Sequence, residues 1–493
     1  MAKAEEIDLF VLLNSLTRIE SKKIISLITS KKLKGQEVYL RILKELQKRP
    51  CYDKQKLLAS LNITSKQLNI FKFKLFNLIL EYKVHDKRSD RRQGPYELNE
   101  FEVLLNASLY LKALRKLKRV KAIVDETCEF EYFLIAQRQA IESSLFSLIN
   151  QNHDSIRLAY QELREYQDKF TNLNEYRNLS DLVLVLHYKV LDKRSPHRKK
   201  MLDYFDHPLL EDEQKAVSKM AKFYYYRILS IIHLGDNNYE KSRRFSFKAY
   251  NYLIQNKSKI RNDYSFLIKS LNNYLDASLH LKDLVEIDKY FPQFEQLILP
   301  NVSDLDYPQN AISLQYLISF RVNYLWVKKD FDQFFLEFDY FLSMYTKHER
   351  LFQPNTKAEI LLGFARILFH SSKYEEAEKY CEQLLLYEKN NPTHLIICQA
   401  SILRVMINYE LGNFRIIPFT INSSRYVIKS RNRYFEIDKL ILTRMTKIKS
   451  YNTQKTNTKI LKNIRKTLGP QLIIDENRFL EGIGLIEWLD SKI

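Results

Sequence analysis

The chain has 493 residues, 45% of them hydrophobic, with 79 Lys and Arg against 59 Asp and Glu and a formal net charge of +20. It exceeds the ~250–300 residues at which one core usually splits, and it is too apolar for a disordered chain, so several modules or a repeat array are expected. Only 8 glycines and 11 prolines occur, which disfavours β-hairpins, bulges and glycine-built phosphate loops, because these need positive φ angles. A chain this rich in Leu, Ile, Lys and Glu reads as helices joined by short polar turns.

The expected fold class is therefore all-α: an α-solenoid of antiparallel helix pairs preceded by a small helical domain. The start, MAKAEEIDLF, places acidic residues where a secretion signal needs positive charge. The pure apolar run Leu182–Leu186 is five residues long, far short of the ~18–20 that span a bilayer. Cys51, Cys128, Cys381 and Cys398 form no Cys-x-x-Cys pair and read as reduced thiols. A cytoplasmic protein without a transmembrane segment is the expectation.

Charge divides the chain into three. Residues 1–95 hold 21 Lys/Arg and 10 Asp/Glu, residues 96–424 hold 43 and 42, and residues 425–493 hold 15 and 7. The centre is neutral and both ends are basic, which points to an anionic partner at the ends rather than along the whole surface.

Residues 1–90 read as a compact helical domain. Glu6–Leu16 and Lys22–Ile28 carry helical apolar spacing, and Val38, Leu40, Ile42, Leu43 and Leu46 mark a further helix stopped by Pro50. Leu57-Leu58-Ala59-Ser60-Leu61-Asn62-Ile63-Thr64, with Leu68 four residues on, resembles a helix-turn-helix. Asn62 suits the turn and Thr64 suits the cap of the second helix. That second helix departs from the pattern, because Ile70, Phe71, Phe73, Leu75, Phe76, Leu78, Ile79 and Leu80 make it apolar nearly all round. Only Lys66, Gln67, Asn69, Lys72 and Lys74 are left to face a groove. Lys66, Asn69, Lys72 and Lys74 are thus the candidate nucleic-acid contacts, and a buried structural helix is the alternative. The charged stretch 84–96, with Gly94-Pro95, reads as a linker.

From Tyr96 to Ser424 an apolar helix, a small polar turn and a second amphipathic helix recur. The fullest copy, AEILLGFARILFHSSKYEEAEKYCEQLLLYEKNNP, resembles a tetratricopeptide (TPR) repeat. Ala365 and Ala377 stand where that family keeps small residues, Tyr374 and Glu375 open the second helix, and Pro392 follows it. Weaker copies centre on Tyr239, Leu284, Phe331 and Phe414, giving spacings of 45, 47, 43 and 40 residues against the family's ~34. HEAT-like hairpins also fit this spacing. The resemblance implies a protein or peptide partner in a groove lined by the first helix of each pair. Tyr224-Tyr225-Tyr226 reads as core packing, with a ligand platform as the alternative.

In residues 425–493, Ser423 or Ser424 is the expected cap of a helix carrying Arg425, Lys429 and Arg433 on one stripe. TKILKNIRKTLGP then places Lys459, Lys462 and Lys466 on one face, extended by Lys455, with Ile460, Leu461, Ile464 and Leu468 opposite. Two readings stand for this face: a solvated last helix, or a contact for phosphates, nucleic acid or an anionic membrane surface. Phe479, Leu480, Ile483, Ile486 and Trp488 suggest a final helix that caps the stack or makes a dimer contact.

No glycine cluster follows a strand, no His-Glu-x-x-His or Gly-x-Ser-x-Gly occurs, and His187, His197 and His207 are ten residues apart. Neither a catalytic centre nor a metal or cofactor site is expected. The reading is a non-enzymatic interaction protein that binds a protein or peptide on the helical array and an anionic partner at its basic ends. The alternative is a nucleic-acid-binding regulator with an N-terminal helix-turn-helix and a TPR-like sensor region.

Overall fold

The computed structural model describes residues 9, 13, 18–30, 36–47, 54–61, 63–86, 93–143, 153–189, 196–256, 264–302, 308–386, 394–430, 436–448, 454–468 and 479–493. Among them the protein is all-α, with no strand. No helix among the described residues is long and apolar enough to cross a membrane. The chain divides into two compact units: Met1–Thr171 with Asn256–Asp263 and Pro300–Ala311, and Asn172–Gln255 with Tyr264–Leu299 and Ile312–Ile493.

The first unit holds α1 (Arg18–Ser30), α2 (Gln36–Gln47), α3 (Lys54–Leu61), α4 (Ser65–Asp86), α5 (Gln93–Asn106), α6 (Tyr110–Thr127), α7 (Phe130–Glu142) and the start of α8 (His153–Lys189). Ile24 and Ile28 of α1, Ile42 and Leu46 of α2, Leu57 and Leu61 of α3, and Leu68, Leu75 and Ile79 of α4 share one apolar core. Such spacing, i to i+3 or i+4, is what lets each short helix bury one stripe. Among α5–α7, Lys116 pairs with the buried Glu97 at 2.6 Å, and Arg119 reaches the other oxygen of that carboxylate at 2.9 Å. The expected linker at 84–96 is narrower than its composition suggests. α4 continues to Asp86, and α5 begins at Gln93 with Pro95 in its first turn, where a missing N–H costs nothing. Gly94 is needed for packing: a Cβ there would lie 2.5 Å from the Tyr132 ring.

The second unit holds the rest of α8, then α9 (Pro196–Leu202), α10 (Lys219–Gly235), α11 (Tyr239–Gln255), α12 (Tyr264–His280), most of α13 (Leu284–Val302) and of α14 (Pro308–Lys328), α15 (Phe331–His348), α16 (Pro354–His370) and α17 (Tyr374–Leu386). It continues with α18 (His394–Glu410), α19 (Ile417–Ser430), α20 (Glu436–Met445), α21 (Gln454–Thr467) and α22 (Leu485–Ser491). Helices pack on their neighbours in sequence order, α10 on α11 on α12 and α16 through α21 in series, a solenoid-like arrangement. Aromatic and polar pairs carry the order through the middle. Phe291 of α13 stacks on Phe320 of α14 at 5.5 Å, Arg321 of α14 pairs with Glu337 of α15 at 2.6 Å, and Phe338 of α15 meets Phe364 of α16 at 5.2 Å.

One turn geometry recurs through this unit. Asn237, Lys282, Lys329, Ser372 and Gly412 each take a left-handed conformation, with φ between 57° and 71°. Each donates its N–H to the carbonyl three residues back, and the following N–H bonds the carbonyl five back, as in Asn238 to His233 at 2.9 Å and Lys373 to Leu368 at 2.9 Å. This is the Schellman helix ending. Four of the five left-handed residues are not glycine, at a cost on the order of 1 kcal/mol each. The next residue often caps the following helix: Asn238, Asp283 and Asp330 accept the N–H of Lys241, Glu286 and Gln333 at 3.2, 3.2 and 3.3 Å. Tyr239, Leu284, Phe331 and Tyr374 are the first residues of α11, α13, α15 and α17, two positions after the left-handed residue. Phe414 stands two positions after Gly412, but its turn is longer and α19 starts only at Ile417.

Tyr224, Tyr225 and Tyr226 are buried on α10, so the triplet is core. Cys128, Cys381 and Cys398 are buried thiols, and Cys51 lies outside the described residues. The cap expected at Ser423 or Ser424 does not form. α19 begins seven residues earlier than Ser424, whose buried hydroxyl donates instead to the Ser401 carbonyl at 2.9 Å. Ile417, Ile421, Val427 and Ile428 supply the continuous apolar stripe that starts the helix early.

Candidate functional surfaces

In the helix-turn-helix-like segment the start of the second helix is capped, and Asn62, the expected turn residue, lies outside the described residues. α3 ends at Leu61 and α4 starts at Ser65. Thr64 and Gln67 cap each other: the Thr64 N–H donates to Gln67 Oε1 at 3.0 Å and the Gln67 N–H to Thr64 Oγ1 at 3.3 Å. This reciprocal capping box satisfies two donors that a helix start leaves open. Of the four candidate contacts, Lys66, Asn69 and Lys74 are exposed, whereas Lys72 is 6% exposed. At about 100° per residue, Lys72 falls in the arc of Leu68, Leu75 and Ile79, the core stripe. Lys72 is therefore no surface contact. The outward face instead mixes Lys66, Asn69 and Lys74 with Ile70 and Phe73, two exposed apolar side chains that stand between the charges.

The C-terminal candidates are arranged differently. α21 buries Asn457, Leu461 and Ile464, followed by Leu468, on one side. Lys455, Lys459, Lys462 and Lys466 are all exposed on the other, within an arc of about 60° at 100° per residue. None of the four makes an ion pair with a described residue. Side-chain bonds fix what flanks this stripe. On one side Arg444 of α20 donates to the Asn463 carbonyl at 2.9 Å, and on the other Arg465 pairs with Asp490 of α22 at 2.6 Å. One helix further, Arg425 of α19 donates to Thr443 Oγ1 of α20 at 3.2 Å. α19, α20 and α21 therefore lie side by side. Arg425 is half-buried between helices, Lys429 is exposed, and Arg433 lies outside the described residues. Asp438 of α20 is fully buried, so no described side chain places a carboxylate on the outward face of the three helices.

The last described segment, Phe479–Ile493, does more than cover the final hairpin. Phe479, Leu480, Ile483, Leu485 and Leu489 are all buried. Side chains from two helices hold its backbone: Gln399 Nε2 of α18 donates to the Phe479 carbonyl at 3.1 Å, Arg366 Nη1 of α16 to the Gly482 carbonyl at 3.0 Å, and His370 of α16 lies 3.1 Å from the Ile483 oxygen. Lys329, in the α14–α15 turn, pairs with Glu487 at 3.3 Å, and Trp488 Nε1 donates to Glu410 at 2.6 Å. Gly484 is in the left-handed region, and a Cβ there would come within 2.2 Å of the His370 ring. Burial pulls the Arg366 guanidinium down to about 9 against the opposing pull of Glu359; the Gly482 carbonyl and Asn323 are the acceptors that keep it in place. No local pattern marks this row, because its donors stand eighty residues or more upstream.

Sequence reasoning also passed over Phe419 and Tyr426. Both are exposed on α19, at 74% and 76%. Their phase was readable: they fall between the positions of Ile417, Thr420, Ile421, Ser424, Val427 and Ile428, all of which are buried.

Compared with known proteins, the chain matches no protein family and none of the curated proteins.

Proposed function

We propose that this protein is a non-enzymatic interaction protein whose helical array serves as a scaffold for a protein or peptide partner and whose basic C-terminal layer grips an anionic macromolecule. The resemblance of residues 358–392 to a TPR repeat supports the first half. The second half rests on a single observation: Lys455, Lys459, Lys462 and Lys466 share one exposed stripe with no described ion-pair partner. Four cations aligned over about 16 Å of helix attract a polyanion and release its counterions. No Asp or Glu occurs on this helix to pair with them at i+3 or i+4. The test is retention on immobilised heparin. Replacing all four lysines by glutamate is expected to abolish retention while leaving helix content unchanged; undiminished retention rejects the reading.

A second reading, a duplex-binding regulator, draws on the reciprocal Thr64–Gln67 cap at the start of α4. With Lys72 buried, its face offers Lys66, Asn69 and Lys74 around an exposed Phe73. Lys66→Ala with Lys74→Ala is expected to weaken duplex binding if that face enters a groove, and to leave it unchanged if the face meets protein.

A further inference from the structure

α19 presents two large aromatic rings to solvent. Seven residues separate Phe419 from Tyr426, so they lie within about 20° of each other around the helix and about 10 Å apart along it. Neither ring stacks on another ring among the described residues. Asn422 and Lys429 are exposed on the same outward side, turned toward the flank where Arg425 meets α20. Beyond α20, which exposes Lys439 and Lys447, comes the lysine stripe of α21. With neighbouring helices 8–10 Å apart, the rings and the stripe are separated by roughly 20 Å.

We propose that the outward surface of α19–α21 binds single-stranded nucleic acid, with Phe419 and Tyr426 stacking on bases and Lys429, Lys455, Lys459, Lys462 and Lys466 contacting phosphates. The proposal rests on the anion-binding reading above and adds the class of anion. Isolated exposed rings beside a cationic track are the two parts that sequence-tolerant single-strand binding requires. A duplex keeps its base faces stacked inside and offers these rings nothing to stack on. An anionic membrane fits less well. It would favour apolar side chains among the cations of one helix, whereas the exposed residues of α21 are lysines with Gln454, Thr456, Asn463 and Thr467, and the rings on α19 stand among Asn422, Ser423 and Ser430.

The experiment uses the full chain and follows fluorescence anisotropy of a labelled thymidine 20-mer, a duplex of the same length and heparin at one salt concentration, with co-sedimentation on phosphatidylserine vesicles. The single strand is expected to bind more tightly than the duplex. Phe419→Ala with Tyr426→Ala should weaken single-strand binding about tenfold or more, while duplex and heparin affinities change less than about twofold. Both rings are surface residues, so circular dichroism should be unchanged. Equal affinity for single strand and duplex overturns the proposal, as does a loss that is absent or equal for every polyanion; either leaves the lysine-dependent heparin binding standing. Vesicle binding that depends on the rings, with no effect on the single strand, overturns it in favour of a lipid surface. If heparin binding is itself indifferent to the four lysines, it is the underlying anion reading that has failed.

Discussion

Helices α4 and α21 each carry several lysines, α4 in a run apolar nearly all round and α21 in an amphipathic one, and α4 buries one of them, Lys72, where α21 buries none. On α21 the four lysines recur at spacings of four, three and four residues, so all fall opposite Leu461 and Ile464. On α4 the interval from Lys66 to Lys72 is six residues, which swings Lys72 onto the side of Leu68 and Leu75. Phe73, one residue on, is sent to solvent in its place. A cation's place on a helix is decided by its phase against the apolar stripe, not by its charge.

The largest effect expected from this contrast is on stability. Lys72→Glu puts a carboxylate into the core of the first unit and should cost about 3–5 kcal/mol. Lys459→Glu on the open face of α21 should change stability by less than about 0.5 kcal/mol. Urea denaturation of the two variants checks this, and equal costs would mean that the two faces are assigned wrongly. Next in size is Arg366→Ala. Losing the donor to the Gly482 carbonyl and Asn323 should cost about 2–3 kcal/mol. Hydrogen exchange should then quicken across Phe479–Ile493 while α10 and α11 keep their protection. Smallest, and opposite in sign, is Lys282→Gly. It relieves a left-handed residue at φ 57° and should stabilise by up to about 1 kcal/mol, offset in part by glycine's larger chain entropy, while its exposed 3.9 Å contact with Glu481 contributes little. A rise in melting temperature, with unchanged helix content, is the expected reading.

Much of this fold could be read from the residues. The scarcity of glycine implied helices, and Tyr239, Leu284, Phe331 and Tyr374 each mark the first residue of a second helix. They are legible because a Schellman ending puts a polar or small residue at a fixed distance before the next apolar one. Phe414 marks the same kind of turn less sharply, since Gly412 opens a longer one. The segment Phe479–Ile493 was legible as an apolar final helix that caps the stack or makes a dimer contact; the side chains that hold it were not, because Gln399, Arg366 and Lys329 are remote in sequence and carry no local signature. The cap expected at Ser424 failed for a related reason. A serine at a buried helical position can return its hydroxyl to a neighbouring helix, and the apolar phase from Ile417 onward outweighs its preference for helix starts. The lysine stripe of α21 was visible from spacing alone, whereas Phe419 and Tyr426 become conspicuous only once the buried side of α19 is known.

Phosphate contact by the C-terminal lysines would show in the salt dependence of binding. For the full chain on a duplex, a plot of log affinity against log salt should fall with a slope of roughly −3 to −4, about −0.9 per phosphate contact. Replacing Lys455, Lys459, Lys462 and Lys466 by alanine should flatten the slope by nearly that amount. A steep slope that survives the four substitutions would contradict the account, because the phosphate contacts would then lie elsewhere on the chain.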